Sequence, residues 1–256
     1  MTDWNPALYM KFESERTRAA RDLLAQIPNF GFGRIFDLGC GPGDATELLA
    51  AAFPRAIIIG LDISDNMLAV ARSRVAAAQF IKQDIETWSP EEKIDLIFAN
   101  SVLQFVPNNH ELLVRLVSFL LERGWLAVQM PNNIQELSHA LMRMVAVVGP
   151  WAGRLTPIAK TRVVIGAFDS YYQLLTPICS KVDIWQKTYV HPLDGLDEII
   201  EWFEGSGLRP FLEPLTPCER ETFLARYSSE LSAAYPRQPN GKVLLRYPRL
   251  FLVVQK

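Results

Sequence analysis

The residues best suited to chemistry lie in one short glycine-rich segment, Asp37-Leu38-Gly39-Cys40-Gly41-Pro42-Gly43. This segment directly follows an apolar run and directly precedes a helical pattern. Glycines in such a turn let the backbone bend sharply and approach a ligand closely, as in nucleotide-binding strand-to-helix turns. A glycine-rich loop can also be only a tight connection, so the segment alone leaves both interpretations open.

Polar residues also end the next three apolar runs. Asp62 follows the glycine segment at close to the spacing, about 20 residues, at which an acid binds ribose hydroxyls. Asp84, followed by Ile85, is suited to the amino group and ring of adenine, and Asn100 ends the next run. Each residue alone has an alternative role as a loop or helix cap. Together they predict a nucleoside site.

Short apolar runs alternate with helical patterns through the first half of the chain. The runs are 34–37, 56–62, 79–84, 94–100 and 125–130, and the helical patterns include 45–53, a helix capped by Ser64, and 110–122. This alternation predicts an α/β fold with a parallel sheet covered on both faces. Asn5-Pro6 is typical of a helix start, and the helix is expected to reach about residue 27.

The second half of the chain is less regular. It contains helical patterns near 137–148, 196–205 and 219–235, a strand-like run Leu208–Leu212, and a final apolar run 250–254. We expect residues 1–131 to form an N-terminal helix and the ligand-binding core. Two insertions, 132–192 and 213–246, are expected to form a helical cap. Residues 193–212 are expected to supply a core helix and strand, and 247–256 the last core strand.

Composition and charge exclude several classes of protein. The 256 residues are 49% hydrophobic and 21% charged, which rules out a disordered chain. The formal net charge of −2 argues against a general nucleic-acid binder, and no apolar run reaches the roughly 20 residues that span a bilayer. The three cysteines are far apart, which predicts a cytoplasmic protein without disulfides. We expect no metal, because ligand-type residues do not cluster. The oligomeric state stays open.

The glycine spacing discriminates among possible ligands. An NAD fingerprint requires glycine or alanine at position 44, where this chain has Asp44. No Gly-Lys-Ser/Thr follows the loop and no G-x-S-x-G elbow exists, which excludes a P-loop and argues against a serine hydrolase. The spacing G-x-G-x-G, with an acid two residues before it, resembles motif I of the class I S-adenosylmethionine-dependent methyltransferases.

This resemblance implies a Rossmann-like, mostly parallel seven-stranded sheet that binds S-adenosylmethionine. It also implies a set of cofactor-binding residues: Asp37, Gly39, Gly41 and Gly43 at the methionine portion, Asp62 at the ribose, Asp84 and Ile85 at the adenine, Asn100 near the methionyl group, and Met67 beside them.

A narrower resemblance extends across nearly the whole chain. Residues 4–9, 182–193, 201–210 and 247–251 are similar to segments of trans-aconitate 2-methyltransferases. The resemblance implies methyl transfer to a carboxylate of trans-aconitate, giving a monomethyl ester and S-adenosylhomocysteine. A carboxylate is already ionised near neutral pH, so no general base is required. We therefore assign no catalytic residue, and expect only positioning and exclusion of water.

A small tricarboxylate calls for cationic and hydroxyl donors, and arginine can pair with a carboxylate through two hydrogen bonds. Residues 132–180 contain four basic side chains against two acidic ones, in a chain that is net negative. Arg154 is the preferred candidate and Arg246 the second. The other candidates are aromatic or imidazole donors: Trp4, Tyr9, Tyr172 and His191. We expect the N-terminal helix to fold over the cofactor.

Two alternatives remain open at this point. The first keeps the cofactor but changes the acceptor to another small carboxylic acid or an acyl-carrier thioester. The second is a non-catalytic S-adenosylmethionine-binding module that uses the cap as a protein interface. A sheet capped by aromatic-rich insertions, without basic surface runs, favours a small-molecule pocket.

Overall fold

The computed structural model describes residues 3–28, 31–161 and 165–256, apart from the side chains of Leu8 and Tyr9. In this part of the chain seven strands form one sheet: β1 Arg34–Leu38, β2 Ile57–Asp62, β3 Gln79–Lys82, β4 Ile94–Asn100, β5 Leu120–Pro131, β6 Lys181–Leu193 and β7 Val243–Gln255. Their order is β3-β2-β1-β4-β5-β7-β6. Strands β1 to β5 are parallel, and β7 is antiparallel to both of its neighbours. The expected mostly parallel sheet is confirmed.

Helices cover both faces of this sheet. Their bounds are α1 Pro6–Met10, α2 Glu13–Leu24, α3 Asp44–Ala52, α4 Asp65–Arg74, α5 Asn109–Phe119, α6 Leu137–Val147, α7 Ala152–Lys160, α8 Phe168–Leu175, α9 Leu196–Glu204, α10 Arg209–Leu212 and α11 Pro217–Ala234. Leu23 of α2 and Leu49 of α3 pack on one face with Phe98 of β4. Leu116 of α5 packs with Ile97 of β4 on the other face. Adjacent residues of one strand point to opposite faces, which explains the two clusters.

Two of the predicted helix starts have the expected caps. The Asn5 side chain accepts a hydrogen bond from the Ala7 N–H at 3.1 Å, at the beginning of α1. Ser64 Oγ accepts one from the Met67 N–H at 3.2 Å, at the beginning of α4. Such bonds satisfy N–H groups that have no partner within the first turn of a helix.

Other predicted elements were wrong in their bounds or type. The N-terminal helix is divided into α1 and α2 at Phe12, whose ring packs 4.8 Å from that of Trp202. Helix α5 ends at Phe119, because the chain enters β5 directly at Leu120. The run Leu208–Leu212, predicted as a strand, contains the short helix α10. Pro210 lies in its first turn, where a proline costs no hydrogen bond, and so short an apolar run fits either structure.

Strand β6 lies inside the expected cap insertion 132–192, except for its last residue, Leu193, and was not predicted as a core strand. Among the strands that the structure describes, it is an edge strand paired with β7 alone, and most of its side chains are exposed or half-buried. Its weak apolar pattern follows from that position. Helix α8, inside the same insertion, also packs in the core through Tyr171 and Leu175.

The cap consists of α6, α7, α9, α10 and α11. Its own apolar cluster contains Trp151, Trp202, Phe211, Phe223 and Tyr227, all fully buried. Helix α9 therefore belongs to the cap, and the expectation that residues 193–212 supply a core helix and strand was wrong. Among the described helices, none is long and apolar enough to cross a membrane.

Candidate functional site

The glycine segment forms the turn between β1 and α3. Gly39 has a φ of 63°, and a methyl group added to it would lie 2.3 Å from Val102 Cγ2, so this position requires glycine. Gly41 has a φ of 54° and has no atom within 4 Å of where a Cβ would be. The loop is therefore packed tightly at Gly39 and open at Gly41, where a ligand can approach the backbone. Gly43, also at positive φ, precedes α3.

Two predicted acids hold this loop in different ways. Asp62 accepts hydrogen bonds from the Gly41 N–H and the Ser64 N–H, both at 2.9 Å, and so ties the loop to the end of β2. Asp37 is 1% exposed and lies beneath the loop, where Thr46 Oγ1 donates to its Oδ2 at 2.6 Å. Burial raises the pKa of Asp37 to about 8, opposed by the Thr46 hydrogen bond. Asp37 therefore supports the loop from below.

The remaining predicted cofactor residues follow β2, β3 and β4 at the same edge of the sheet. Met67 is buried in the first turn of α4, and Ile85 is buried beside an exposed Asp84, whose Oδ1 accepts from the Glu86 N–H at 2.8 Å. Asn100 ends β4, and its buried Oδ1 has no hydrogen-bond partner among the described residues. The strand ends thus form one row of polar groups beside the glycine loop.

The N-terminal segment lies across this row. Asp3 Oδ2 accepts from the Asn66 N–H at 3.1 Å, and the Trp4 carbonyl accepts from Asn66 Nδ2 at 3.3 Å, both on α4. The Trp4 ring contacts Phe105 edge-on at 5.6 Å, and the Arg209 guanidinium lies over it at 4.4 Å. These contacts place Trp4 between the β2 end of the site and the cap. The Tyr9 side chain lies outside the described residues.

A cavity of about 260 Å³ lies between the ends of β4 and β5 and the cap. Amide and hydroxyl groups line part of it, from Gln104, Asn132, Asn133, Thr161 and Ser206. Phe105, Pro131, Ile134, Ile158, Ile165 and Pro210 supply the apolar remainder. None of these lining residues is charged. A cavity of this size suits a small molecule.

Four predicted acceptor-binding residues lie away from this lining. Arg154 donates to the Pro214 carbonyl at 2.9 Å and forms an ion pair with Glu219, so it joins α7 to the start of α11. Tyr172 is exposed on α8. Arg246 lines a separate cavity of about 110 Å³. His191 is buried in the cap, 4.9 Å from the Trp202 ring. The local excess of basic residues favoured Arg154 as a binding group. Charge counts do not show which basic side chains are already paired with a carboxylate, as Arg154 is with Glu219.

The burial of His191 has a consequence for stability. Its two ring nitrogens have no partner among the described residues, and burial, with the nearby charges of Arg249, Arg18 and Arg16, lowers its pKa to about 4. The unfolded chain takes up this proton near pH 6.5, so stability is lost as the pH falls from about 6.5 towards 4.

We therefore expect His191→Phe to remove about 2 kcal/mol of the difference in unfolding free energy between pH 7 and pH 5. Urea unfolding of both proteins at both pH values measures this difference. The other titrating groups are common to the two proteins, so they cancel. The same pH dependence in both proteins would contradict the assignment.

Three further polar residues meet beside the site and were not predicted: Ser101 after β4, Gln129 near the end of β5 and Arg249 in the middle of β7. Arg249 is 3% exposed and donates to Ser101 Oγ at 3.0 Å and to Gln129 Oε1 at 2.9 Å. Ser101 Oγ also donates to Gln129 Oε1 at 2.8 Å. One signal was present: Arg249 interrupts an apolar strand, and a charge placed there requires polar partners inside the protein.

The described residues contain no group of three or more His, Cys, Asp or Glu side chains that could hold a metal ion. The site consists of a glycine loop, a row of polar strand ends and a cavity whose described lining is uncharged. Such a site at the carboxyl ends of a parallel sheet is a place for a nucleotide-like ligand beside a small molecule.

Comparison with known proteins defines the class. A family model described as a methyltransferase domain matches residues 33–185, which contain β1 to β5 and the glycine loop. Among solved structures, a Bacillus subtilis protein, YcgJ, aligns over 93% of this chain and 98% of its own with a TM-score of 0.60 and 15% identity. Haemonchus contortus phosphoethanolamine N-methyltransferase 2, in complex with S-adenosyl-L-methionine, aligns over 97% of this chain and 56% of its own, with a TM-score of 0.57 and 17% identity. At such identities these structures show the fold alone. The fold and the matched domain make this chain a methyltransferase.

Curated relatives narrow this class. Trans-aconitate 2-methyltransferase of Rhodopseudomonas palustris is 48% identical over 256 residues, covering all of both chains. The protein of the same name from Methylobacterium nodulans is 51% identical over all of this chain and 99% of its own. The chain belongs to the trans-aconitate 2-methyltransferase family.

Proposed function

We propose that this protein transfers a methyl group from S-adenosylmethionine to a carboxylate oxygen of trans-aconitate. The products are the monomethyl ester and S-adenosylhomocysteine. The observation that carries the proposal is the sequence identity of 48% and 51% to two curated relatives, over the whole length of this chain. The cavity near the glycine loop supports it, since it provides room for a small acceptor next to the cofactor.

The residues present fit this cofactor. Asp37 Oδ1 and Asn100 Oδ1 are buried acceptors without a partner among the described residues, and the cofactor carries an ammonium group that donates to such oxygens. Gly41 leaves space for close approach, and we propose that Asp62 holds the ribose while Met67, Asp84 and Ile85 hold the adenine. When bound, the cofactor supplies a methyl group on a sulfonium, which is neutralised to a thioether as the carbon–sulfur bond breaks.

The protein's own contribution is to position the acceptor against the cofactor and to exclude water. The acceptor carboxylate is ionised near neutral pH, so a new oxygen–carbon bond forms without any proton transfer. The N-terminal segment, held by Asn66 and Phe105, covers the cleft and helps to exclude water. No described side chain is assigned as a general base.

A methyl-labelled cofactor incubated with a panel of di- and tricarboxylic acids tests the proposal. Base-labile label on trans-aconitate is the expected result. Label on another acid, or on an acyl-carrier thioester, would show that this compound, and not trans-aconitate, is the acceptor. Tight cofactor binding without turnover on any member of the panel would favour a non-catalytic module.

Within the cavity, we propose Asn133 as a donor to an acceptor carboxylate. It is 7% exposed, lines the cavity, and its buried Nδ2 has no partner among the described residues. A hydrogen bond to a charged group contributes about 1.5–3 kcal/mol, so Asn133→Leu is expected to raise the KM for trans-aconitate by tenfold or more.

Arg154→Ala is the variant to compare with Asn133→Leu, because the charge pattern of the sequence favoured Arg154 as the residue that binds the acceptor. Its ion pair with Glu219 predicts a lower melting temperature with a KM within about twofold of the wild type. Steady-state kinetics of both variants decide between the two residues. The reverse pattern, with KM raised only by Arg154→Ala, would place the acceptor against α7.

We also propose that the enzyme works in the cytoplasm. The argument is its cysteine usage: Cys40, Cys179 and Cys218 are odd in number and none is in a disulfide. Fractionation of cells followed by the methyl-transfer assay measures this directly.

A further inference from the structure

The turn after β4 has an unusual backbone conformation. Ser101 has a φ of 60°, in the left-handed region that residues other than glycine rarely adopt. Its N–H donates to the Gln129 carbonyl at 2.9 Å, and its own carbonyl accepts from Gln104 Nε2 at 2.6 Å. A residue persists in such a conformation only where its surroundings determine it, and these bonds do so here.

Arg249 completes this arrangement from β7. It donates to both Ser101 Oγ and Gln129 Oε1, and its guanidinium lies 4.7 Å from the centre of the Tyr247 ring. In the β5–β7 pair it is directly opposite Pro131, which lines the large cavity. Burying a guanidinium is costly unless it is well hydrogen-bonded. The hydrogen bonds from Arg249 therefore hold the turn beside the cavity in one geometry.

The turn has the cofactor loop on one side and the cavity on the other. Asn100, immediately before Ser101, presents the unpartnered Oδ1, and Val102, immediately after it, packs against Gly39. Two residues further on, Gln104 lines the cavity while its amide is bonded to Ser101. A shift of Ser101 would move the contacts to both substrates at once.

We propose that Arg249 is a positioning residue that acts through Ser101 Oγ to align the methyl donor with the acceptor. The inference rests on the proposed methyl transfer. In reactions that depend on orientation, a misplacement of about 1 Å can cost about 100-fold in rate. Loss of this contact should therefore lower kcat more than it changes the binding of either substrate.

The test is a double-mutant cycle with Ser101→Ala, Arg249→Met and the double variant. Each single variant is expected to lower kcat tenfold or more while the Kd for S-adenosylhomocysteine stays within about threefold. Because both remove the same contact, the double variant should have a kcat no lower than that of the worse single variant. Ser118→Ala and Arg226→Met, on the outer surfaces of α5 and α11, are the controls and should retain wild-type kcat.

Several outcomes would overturn the inference. These are a kcat unchanged in Ser101→Ala, losses of kcat that multiply in the double variant, or losses that track the melting temperature alone. If Arg249→Met does not fold, Arg249→Lys replaces it in the test. Lysine keeps the charge, but its ammonium ends short of the Nη1 position that makes both hydrogen bonds, so this variant should still lower kcat. Wild-type protein without turnover on trans-aconitate counts against the proposed function instead, and the cycle is then measured on the acid that the wild type methylates.

Discussion

Gly39→Ala is expected to abolish measurable cofactor binding and to destabilise the protein by about 2–5 kcal/mol. The added methyl group would meet Val102 Cγ2 at 2.3 Å and Cβ at 2.5 Å, and overpacking of this kind costs about 1–3 kcal/mol. A positive φ costs an alanine a further 1–2 kcal/mol or so. Relief of the clash requires the loop and the turn after β4 to separate, and both of them contribute to the proposed cofactor site.

Urea unfolding and titration with S-adenosylhomocysteine measure the two effects. Gly153→Ala is the control, because a Cβ at Gly153, in the first turn of α7, meets nothing within 4 Å. It should leave binding unchanged and raise helix stability slightly. If Gly39→Ala kept wild-type stability and affinity, the packing described for the loop would be wrong.

Asp62→Asn is expected to weaken binding of S-adenosylhomocysteine by 100-fold or more. Both carboxylate oxygens accept backbone hydrogen bonds, so an amide nitrogen in place of either oxygen would face the N–H of Gly41 or Ser64. The substitution therefore loosens the loop and also weakens the proposed acceptor for the ribose. A buried donor left facing another donor costs about 1–3 kcal/mol before any ligand contact is lost.

The chain offers a close control in Asp95. Its Oδ2 accepts from the Gly33 N–H at 3.2 Å and the Arg34 N–H at 2.9 Å, which is similar chemistry at the opposite edge of the sheet. Asp95→Asn should lower the melting temperature without affecting the Kd for S-adenosylhomocysteine. Equal losses of affinity in the two variants would show that Asp62 acts only through general stability.

The sequence could predict that the proposed cofactor-binding residues lie together, because each is close to the end of a strand. The glycine loop joins one strand to the next helix, and Asp62, Asp84 and Asn100 each end or closely follow an apolar strand. In a parallel sheet those ends must lie together. Spacing and residue type were therefore sufficient to identify the group, whereas the part that each residue plays, such as Asp37 beneath the loop, depends on burial.

The proposed acceptor half could not be predicted, because its residues come together only through tertiary packing. Asn133, Ser206 and Arg249 are far apart in sequence and lie on different elements. Arg154 and Arg246 were as suitable by residue type as Arg249, and only the fold distinguishes a surface ion pair from a buried guanidinium. Strand β6 was missed for a related reason, since an edge strand with half-exposed side chains has little periodic signal.

The paired strands β6 and β7 connect the cap to the sheet. They are hydrogen-bonded to each other along 13 residues, but β7 pairs with β5 only from Arg249 onward. Residues 243–248 of β7 and their partners in β6 therefore project beyond β5 as a two-stranded arm, and Val243, Leu245 and Tyr247 on this arm pack in the cap cluster. The cap is thus anchored to the sheet by a paired arm, and we expect the two to move together when an acid enters the cavity.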